Sequence, residues 1–460
     1  MRPPPPPTPD AAALDAVPAE LAHGARVVPL TLRGGVLEVG VGPAHGGDGD
    51  GATAALERLR IRAGAVAVTT VPITDPEAAA LRAYARRTLA AAEVAVGAAP
   101  PEATAVVTAV LDTAVGTGAS DVHLEAVPDG LRVRLRRDGA VHPAATLPVG
   151  LRDPVVARIK VLAGLDVAER RAPQDGRLTH PVPSGAVDVR VATIPVRHGE
   201  RVTLRLLPRD GVTHLEGLGL PDVVRTALAE AGTSGSGLVV LCGPTGSGKT
   251  TTLHAVAARV ADRDRTVLAL EDPVEREVPG VSQTQIDPAA GVTFATGLRH
   301  LLRHDPDVLV VGEVRDAVTA DLAVEAAGTG HLVLTTLHAA DAAGAVDRLD
   351  ELGVGVARAA AVLRLVVAQR LLALPCPTCS GAGCHDCDGT GTRGRTAVAE
   401  GITWDAALRA AVLAAPDPAA RRAVLRAARR PGLRAAAVAA AAAGRADATA
   451  ARRATPEPDG

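Results

Sequence analysis

The residues best suited to do chemistry form a glycine-rich loop that ends in lysine and threonine. The loop comprises Gly243, Pro244, Thr245, Gly246, Ser247, Gly248, Lys249, Thr250 and Thr251. It matches G-x-x-x-x-G-K-[ST], in which backbone N–H groups surround phosphates and the hydroxyl holds Mg²⁺. Only two lysines stand among the 49 basic residues, and one of them is Lys249. A compact ammonium reaches the terminal phosphates where a guanidinium is too wide. The sequence therefore predicts a site for a nucleoside triphosphate, with Thr250 as a Mg²⁺ ligand.

Carboxylates and histidines follow or flank three apolar runs downstream of this loop. The acidic residues that end two of the runs are Glu271, Asp272 and Glu313, and the histidines around the third are His331 and His338. Strand ends beside a phosphate loop are where a water is oriented and a metal is held. Taken singly, each carboxylate also fits a helix cap or a solvated turn, and each histidine a structural position. Their joint occurrence after the loop favours a nucleotide site.

Four cysteines form a compact C-x2-C-x4-C-x2-C cluster, and each pair is followed by x-G-x-G, so that eight residues repeat in tandem. The cysteines are Cys376, Cys379, Cys384 and Cys387. Four thiolates at this spacing are typical of a closed tetrahedral Zn²⁺ site. The alternatives are a redox-active pair and four unligated thiols. A fifth cysteine, Cys242, is expected to be a small buried hydrophobe.

Composition excludes several classes of protein. Of 460 residues, 47% are hydrophobic, which suffices for buried cores, while aromatic residues make up 1% and the net charge is −2. Base stacking on aromatic side chains and a basic coat for nucleic acid are therefore disfavoured. The proline-rich start has no signal-peptide pattern, and no stretch reaches the roughly 18 apolar residues of a membrane span. We expect a cytoplasmic protein.

Apolar runs without alternation predict parallel strands covered on both faces, and hence an α/β fold with a doubly wound nucleotide-binding core. Upstream, strands that alternate apolar and charged residues predict an α+β domain. The expected organisation is a disordered proline-rich leader (1–18), an N-terminal domain (19–90), the α+β domain (102–208), the core (221–404, with the cysteine clip at 376–391), a helical region (405–445) and a disordered tail (446–460).

The motifs resemble those of the ATPases of type II secretion and type IV pilus assembly. The resemblance covers roughly residues 20–445. Its segments are the Walker A loop (243–253), the aspartate box (270–285), an atypical Walker B (303–316), the histidine box (330–338) and three stretches of the preceding domain (119–125, 158–177 and 188–207). The family's assembly motors also carry four cysteines, usually with a longer stretch between the pairs.

This resemblance implies a RecA-like P-loop ATPase core, a preceding PAS-like α+β domain, a small N-terminal docking domain and a zinc clip. By the same resemblance, Glu271 and Glu313 polarise the attacking water and support the metal, in roles that the sequence leaves undivided. The arginines that reach the nucleotide from the preceding domain match Arg190 and Arg205. His331 and His338 would couple the state of the γ-phosphate to domain movement.

The implied function is a homohexameric ATPase that powers assembly of a type IV pilus or a type II secretion pseudopilus. It would act peripherally at the cytoplasmic membrane, with an inner-membrane platform protein and a docking partner, and without nucleic acid. A retraction motor or a DNA-uptake motor of the same superfamily is the nearest alternative. A RecA-like nucleic-acid translocase and a nucleotide-binding scaffold without turnover are the others.

Overall fold

The chain divides into two compact units, Met1–Arg209 and Asp210–Gly460, in a computed structural model. The structure describes residues 8–42, 49–73, 75–93, 102–207, 214–261, 264–384, 387 and 389–455. Each unit has its own sheet or sheets and its own hydrophobic core. Among the described residues, no helix is both long enough and apolar enough to cross a bilayer.

A small three-stranded sheet with four helices begins the first unit. Its elements are α1 (Ala11–Ala16), α2 (Ala19–Gly24), β1 (Val27–Arg33), β2 (Val36–Val41), α3 (Gly49–Arg62), β3 (Ala67–Pro72) and α4 (Pro76–Glu93). The middle strand β2 pairs antiparallel with β1 and parallel with β3. The disordered leader predicted over residues 1–18 is wrong for α1. The Asp10 side chain caps this helix by accepting from the Ala13 amide, and the helix buries Ala13 and Leu14.

A six-stranded antiparallel sheet forms the rest of the first unit, in the order β6-β5-β4-β9-β8-β7. Its elements are α5 (Ala103–Thr117), β4 (Asp121–Val127), β5 (Gly130–Arg137), β6 (Ala140–Pro148), α6 (Val149–Leu162), β7 (Gln174–Val182), β8 (Gly185–Val196) and β9 (Gly199–Leu206). Alternate residues such as Leu131, Val133 and Leu135 are buried, in one core cluster with residues of α5 and α6. The alternation read from the sequence thus predicts this α+β domain correctly.

Lys160, the second lysine of the chain, is buried inside the first unit. Its side chain is 1% exposed, and Nζ lies 2.5 Å from Oε1 of Glu200, which is 6% exposed. Nζ also donates to the carbonyl of Glu169 at 2.6 Å. The pair ties α6 to β9 and to the loop after α6. The role of Lys160, which the sequence did not reveal, is that of a buried ion-pair partner.

The second unit is built on a seven-stranded sheet in the order β12-β11-β13-β14-β10-β15-β16. Its first elements are α7 (Asp222–Ala231), β10 (Gly237–Cys242), α8 (Lys249–Ala261), β11 (Val267–Glu271), β12 (Val281–Gln285), α9 (Phe294–Leu301), β13 (Val308–Val311), α10 (Ala317–Gly328) and β14 (Leu332–Leu337). The remaining elements are α11 (Ala342–Glu351), α12 (Val356–Val362), β15 (Leu363–Pro375), β16 (Thr392–Thr403), α13 (Ala406–Ala414), α14 (Pro418–Ala428), α15 (Leu433–Ala442) and α16 (Ala448–Ala454). All neighbouring strands except β15 and β16 pair in parallel.

Helices cover this sheet on both faces, as the unbroken apolar runs predict. Along β10, Leu238 and Val240 belong to one buried cluster, whereas Val239 and Leu241 belong to another. Because successive side chains of a strand point to opposite faces, both faces must be apolar. The carboxyl ends of the parallel strands therefore meet at one sheet edge, where polar side chains can be grouped.

The carboxyl-terminal helices pack onto the edge hairpin β15–β16. Residues of α15 and α16 share a small core with Leu372 and Val398 of the hairpin. The disordered tail predicted over 446–460 is wrong for α16, which Asp447 caps by accepting from the Ala450 amide. Glu400 on β16 is entirely buried and accepts from the amides of Ala342 and Leu433, both at 2.9 Å.

We predict that Lys160→Ala lowers the free energy of unfolding by about 3–5 kcal/mol, because it leaves Glu200 buried and unpaired. The double variant Lys160→Met/Glu200→Leu removes both charges and should recover most of the loss. Urea unfolding of the three proteins measures this. Equal stability of the single variant and the parent would contradict the buried pair.

Candidate nucleotide-binding site and cysteine cluster

The glycine-rich loop lies between β10 and α8, at the carboxyl edge of the central sheet. Its Pro244, Thr245 and Gly246 form the outer turn, and Thr250 and Thr251 belong to the first turn of α8. The first amides of a helix have no intrahelical partner, and they carry a partial positive charge suited to an anion. The predicted loop and the predicted helix start are both present.

Close backbone contacts explain why two positions of the loop must be glycine. A Cβ on Gly243 would lie 2.6 Å from the carbonyl oxygen of Gln369, and Gly243 has a φ of 148°. A Cβ on Gly248 would lie 2.8 Å from Nε2 of Gln369. A side chain at either position would displace the loop from β15.

Gln369 on β15 links the loop to α8, and sequence reasoning missed it. Its side chain is buried, donates to the Ser247 carbonyl at 2.9 Å and accepts from the Thr252 hydroxyl at 2.8 Å. The hydroxyl oxygen of Ser247 is buried and has no hydrogen-bond partner among the described residues. Such an orphaned group inside the loop fits a site whose partner is an anionic ligand. The sequence did hold one signal for Gln369, which is a single amide side chain inside the apolar run of β15.

The side chain of Lys249 is folded onto its own loop. Nζ donates to the carbonyls of Gly243 at 2.8 Å and Pro244 at 3.0 Å. Burial lowers the pKa of Lys249, while the negative charge of Glu313 opposes this change. The ammonium is thus held at the mouth of the loop, next to an acidic group.

Glu313 and His338 meet at the ends of the adjacent strands β13 and β14. Oε1 of Glu313 lies 2.8 Å from Nε2 of His338, and Oε2 lies 2.8 Å from a guanidinium nitrogen of Arg315. Burial acts to raise the pKa of Glu313, but the hydrogen bond and charge of Arg315 outweigh it, with help from His338 and Lys249. The pKa is lowered, and the carboxylate is ionised at neutral pH.

Glu271, at the end of β11, is held from two sides. Its Oε2 lies 2.9 Å from Nε2 of His254 on α8, and its Oε1 accepts from the Gln283 amide at 2.6 Å. His254 is only 2% exposed, and its Nδ1 has no partner among the described residues. The contact through Nε2 ties α8 to the end of β11. Sequence reasoning missed His254 and Gln283, although His254 lies one helical turn after Thr250.

His331 and His338 lie at opposite edges of the sheet. His331 precedes β14, whereas His338 follows it, and seven residue steps at ~3.3 Å each separate them by about 23 Å. The backbone of His331 accepts from Gly237, at the amino end of β10. Its ring nitrogen lies 3.1 Å from the Ala326 carbonyl. The structure therefore does not bring His331 to the phosphate loop of its own chain, and its role in coupling the γ-phosphate to domain movement stays a prediction.

The predicted arginines lie in the first unit, in register on neighbouring strands. Arg190 on β8 pairs with Arg205 on β9, and Arg177 on β7 faces Arg190 in turn. Arg205 donates from Nε to Asp121 at 2.9 Å, and Arg136 lies on the other side of that carboxylate. Four arginines therefore lie side by side across the sheet, and two of them, Arg136 and Arg205, flank Asp121. Arg177 was missed because register is not visible in the sequence. The role of Arg190 and Arg205 toward a nucleotide stays a prediction.

The four cysteines converge at the tip of the β15–β16 hairpin, with all sulfurs within 4.8 Å of one another. The separations Cys376–Cys384, Cys379–Cys387 and Cys384–Cys387 are each 3.8 Å. Four thiolates around Zn²⁺ at ~2.3 Å from the metal would be about 3.8 Å apart, so the donor set fits tetrahedral zinc.

The two halves of the cysteine cluster repeat each other in structure as well as in sequence. The Gly383 amide donates to the Cys379 sulfur and the Gly391 amide to the Cys387 sulfur, both at 3.2 Å. Burial acts to raise the pKa of Cys387, but donors led by the amides of Cys384 and Gly391 lower it to about 7. These donors favour thiolates, which are the form that binds metal.

Fold and site together define a P-loop nucleotide-binding protein of the RecA-like kind. Solved structures share the fold. The Legionella pneumophila ATPase DotB is 24% identical and covers 75% of this chain and 94% of its own, with a TM-score of 0.59. The pilus retraction motor PilT with bound ADP is 24% identical and covers 76% and 97%, with a TM-score of 0.53.

The chain belongs to the type II/IV secretion system protein family, whose model matches residues 98–453. The type II secretion system protein E of Aeromonas hydrophila is 39% identical over 346 residues, 70% of this chain and 69% of the relative. The type IV pilus assembly ATPase PilB of Thermus thermophilus is 41% identical over 324 residues, 64% of this chain and 36% of the relative. The chain thus spans about a third to two thirds of these relatives. The resemblance read from the motifs is confirmed.

We predict that Gly243→Ala weakens nucleotide binding by about tenfold or more, since a methyl group would collide with the Gln369 carbonyl and strain the backbone. Gly235→Ala is the matched control, because nothing lies within 4 Å of its added Cβ. Titration with a fluorescent ATP analogue measures both. Unchanged binding by Gly243→Ala would show that the loop contact is dispensable.

Proposed function

We propose that this chain is the ATP-hydrolysing subunit of a ring-shaped motor that powers assembly of a type IV pilus or a type II secretion pseudopilus. The observation that carries the proposal is the grouping of Lys249, Glu313 and His338 at one sheet edge, beside a loop in which Gly243 and Gly248 leave no room for a side chain. Two relatives are named type IV pilus assembly ATPase and type II secretion system protein E, and this similarity supports the proposed function.

The loop would hold the phosphates of ATP through its backbone amides, with Lys249 turning from the loop carbonyls onto the terminal phosphates. The unpaired hydroxyl of Ser247 and the glycine contacts fit this ligand. Thr250 and Glu313 would hold Mg²⁺, and the ion would neutralise part of the negative charge of the phosphates. Exchange of carbonyl contacts for phosphate contacts costs little rearrangement, because the loop is already formed.

The two acidic residues have different surroundings, and we assign them different roles. The partners of Glu313, Arg315 and His338, are 61% and 47% exposed, so they can release its oxygens to a water or a metal. Glu271 is held instead by the buried ring of His254 and by Gln283. Glu313 therefore orients the attacking water, and Glu271 positions the end of β11 relative to α8.

His338 is placed to transmit the nucleotide state. It follows β14 and leads directly to Asp341, which caps α11 by accepting from the Gly344 amide at 2.7 Å. The next residue, Ala342, donates to the buried Glu400 of β16. A change in the Glu313–His338 contact would therefore move the start of α11 against the carboxyl-terminal helices.

The assembly that we propose is a homohexamer bound peripherally at the cytoplasmic face of the inner membrane. A platform protein of the membrane and a docking partner would receive the movement, and Arg190 and Arg205 would contribute positive charge to the nucleotide. Family membership supports an oligomeric motor with partners in a membrane system. A near-neutral net charge of −2 and 1% aromatic residues disfavour nucleic acid as the track.

Zn²⁺ is the metal that we propose for Cys376, Cys379, Cys384 and Cys387. Their sulfur geometry matches a closed tetrahedral site, and glycines at both ends of the repeat allow the backbone to close around it. The ion would have a structural role, since four protein ligands leave no open position. It would fix the tip of a hairpin whose strands belong to the central sheet.

The nearest alternative is a retraction or DNA-uptake motor of the same superfamily. The cysteine clip and the additional N-terminal elements favour an assembly motor, since retraction motors of the superfamily generally lack both. A translocase of the RecA type would need a nucleic-acid contact surface, for which the composition offers neither a strong positive charge nor aromatic stacking residues.

We predict that Glu313→Gln lowers kcat for ATP by about 10²–10⁴-fold and leaves nucleotide affinity nearly unchanged, because the water loses its acceptor while the loop is intact. Glu325→Gln, a change at an exposed carboxylate near the carboxyl end of α10, is the control and should retain turnover. Steady-state phosphate release and nucleotide titration separate the two effects. Undiminished turnover by Glu313→Gln, or by Lys249→Ala, would overturn the site assignment.

The assembly role is tested by stimulation of the same turnover. The cytoplasmic domain of a platform protein from a type II or type IV system should raise the ATPase rate of the assembled chain, whereas double-stranded DNA should not. Stimulation by DNA alone would favour the translocase instead.

We predict one Zn²⁺ per chain, measured by elemental analysis of the purified protein. Cys379→Ser/Cys387→Ser should abolish the metal and increase proteolysis at the hairpin tip, because no ion then holds the glycine-rich segment. Cys242→Ser, a change outside the cluster, should keep the metal. A full complement of zinc in the double variant would contradict the assignment.

A further inference from the structure

A cavity of about 550 Å³ lies inside the first unit, at the junction of the small N-terminal sheet region and the six-stranded domain. Residues from the helices α2, α4, α5 and α6 and from the end of β7 line it. Pockets for small organic ligands usually have volumes of roughly 300–1,000 Å³. The cavity therefore has room for a small molecule, and no part of the P-loop contributes to it.

The lining of the cavity includes the side chains of His23 and Arg158. Nε2 of His23 and Nε of Arg158 are both inaccessible to solvent, and neither has a hydrogen-bond partner among the described residues. Buried polar groups in folded proteins are almost always paired, so this part of the lining is polar and incompletely satisfied. The terminal N–H groups of the Arg158 guanidinium are not among these buried atoms, and they are the ones that a ligand in the cavity can reach.

Two other titratable residues of the lining are paired with each other. Nε2 of His180 lies 2.8 Å from Oδ1 of Asp112, so the carboxylate has a partner within the protein. Burial lowers the pKa of His23, although the charges of Asp112, Glu77 and Glu20 oppose the change. Among the described residues no carboxylate forms an ion pair with Arg158, and this permanent cation is matched in chemistry by a carboxylate or a phosphate.

Much of the remaining lining is apolar, and part of it comes from α5. Val107 and Leu111 lie four residues apart on this helix and are almost fully buried, as is Leu178 of β7. Thr104 and Thr108 of the same face are exposed and mark the opening. A ligand that fills the cavity therefore needs an apolar body in addition to its acidic group.

We propose that this cavity binds a small organic anion, with a carboxylate or phosphate on Arg158 and an apolar body against α5. The site joins elements of the N-terminal region, α2 and α4, to α5 and α6. A ligand that binds only when these elements are packed together stabilises that packing. The site would thereby let a metabolite set the rigidity of the connection between the N-terminal region and the six-stranded domain.

Isothermal titration of the full-length protein with benzoate and with benzyl alcohol tests the charge requirement. Benzoate should bind and the alcohol should not. Arg158→Gln should weaken benzoate binding by about tenfold to a hundredfold, the usual effect of losing a charge-assisted hydrogen bond. Arg132→Gln, a change at an exposed arginine of β5, is the matched control and should bind as the parent does. Phenyl phosphate, titrated into Lys249→Ala to exclude the P-loop, distinguishes a phosphate ligand from a carboxylate.

A second variant keeps the test decisive if Arg158→Gln fails to fold. Thr108→Phe places a ring at the exposed opening and should block binding without removing any buried group. Loss of binding in Thr108→Phe supports the site. Absence of binding by both acids at millimolar concentration overturns the proposal, and so does equal affinity of the parent and Thr108→Phe.

Discussion

The contact between the P-loop backbone and β15 is the constraint on which the nucleotide site depends. Gly243 leaves no room for a side chain against the Gln369 carbonyl, and the amide of Gln369 holds both the Ser247 carbonyl and the Thr252 hydroxyl. Loop, helix and strand are therefore fixed together before a phosphate arrives. Donors that are already in place lose little freedom on binding, and this preorganisation is what makes a site of backbone amides effective.

Two carboxylates at neighbouring strand ends have different surroundings. Glu313 faces Lys249, Arg315 and His338, and the hydrogen bond and charge of Arg315 outweigh burial and lower its pKa. Glu271 faces a buried imidazole and an amide, which fix its position. In the function that we propose, the same residue type therefore orients water at one strand end and positions a helix at the next, and the surroundings of each carboxylate decide its role.

The central sheet, its parallel order and its phosphate loop could be predicted from the sequence, because apolar runs and glycine spacing are local signals. The contacts of His331 could not, because its ring packs against the Ala326 carbonyl at the end of α10, a partner that the motif does not show. Gln369, Gln283 and Arg177 escaped detection for a related reason: their partners come from other strands. The helices α1 and α16 were missed because proline- and alanine-rich segments look disordered when their packing partners are unknown.

Glu400 ties the carboxyl-terminal helices to the core of the second unit. Its carboxylate accepts from amides at the start of α11 and at the start of α15, although these helices are far apart along the chain. A chain cut before α15 would leave that carboxylate in the core without one of its donors. The helices that follow β16 are therefore part of the folding unit of the central sheet, and a truncation that removes Leu433 should destabilise the sheet itself.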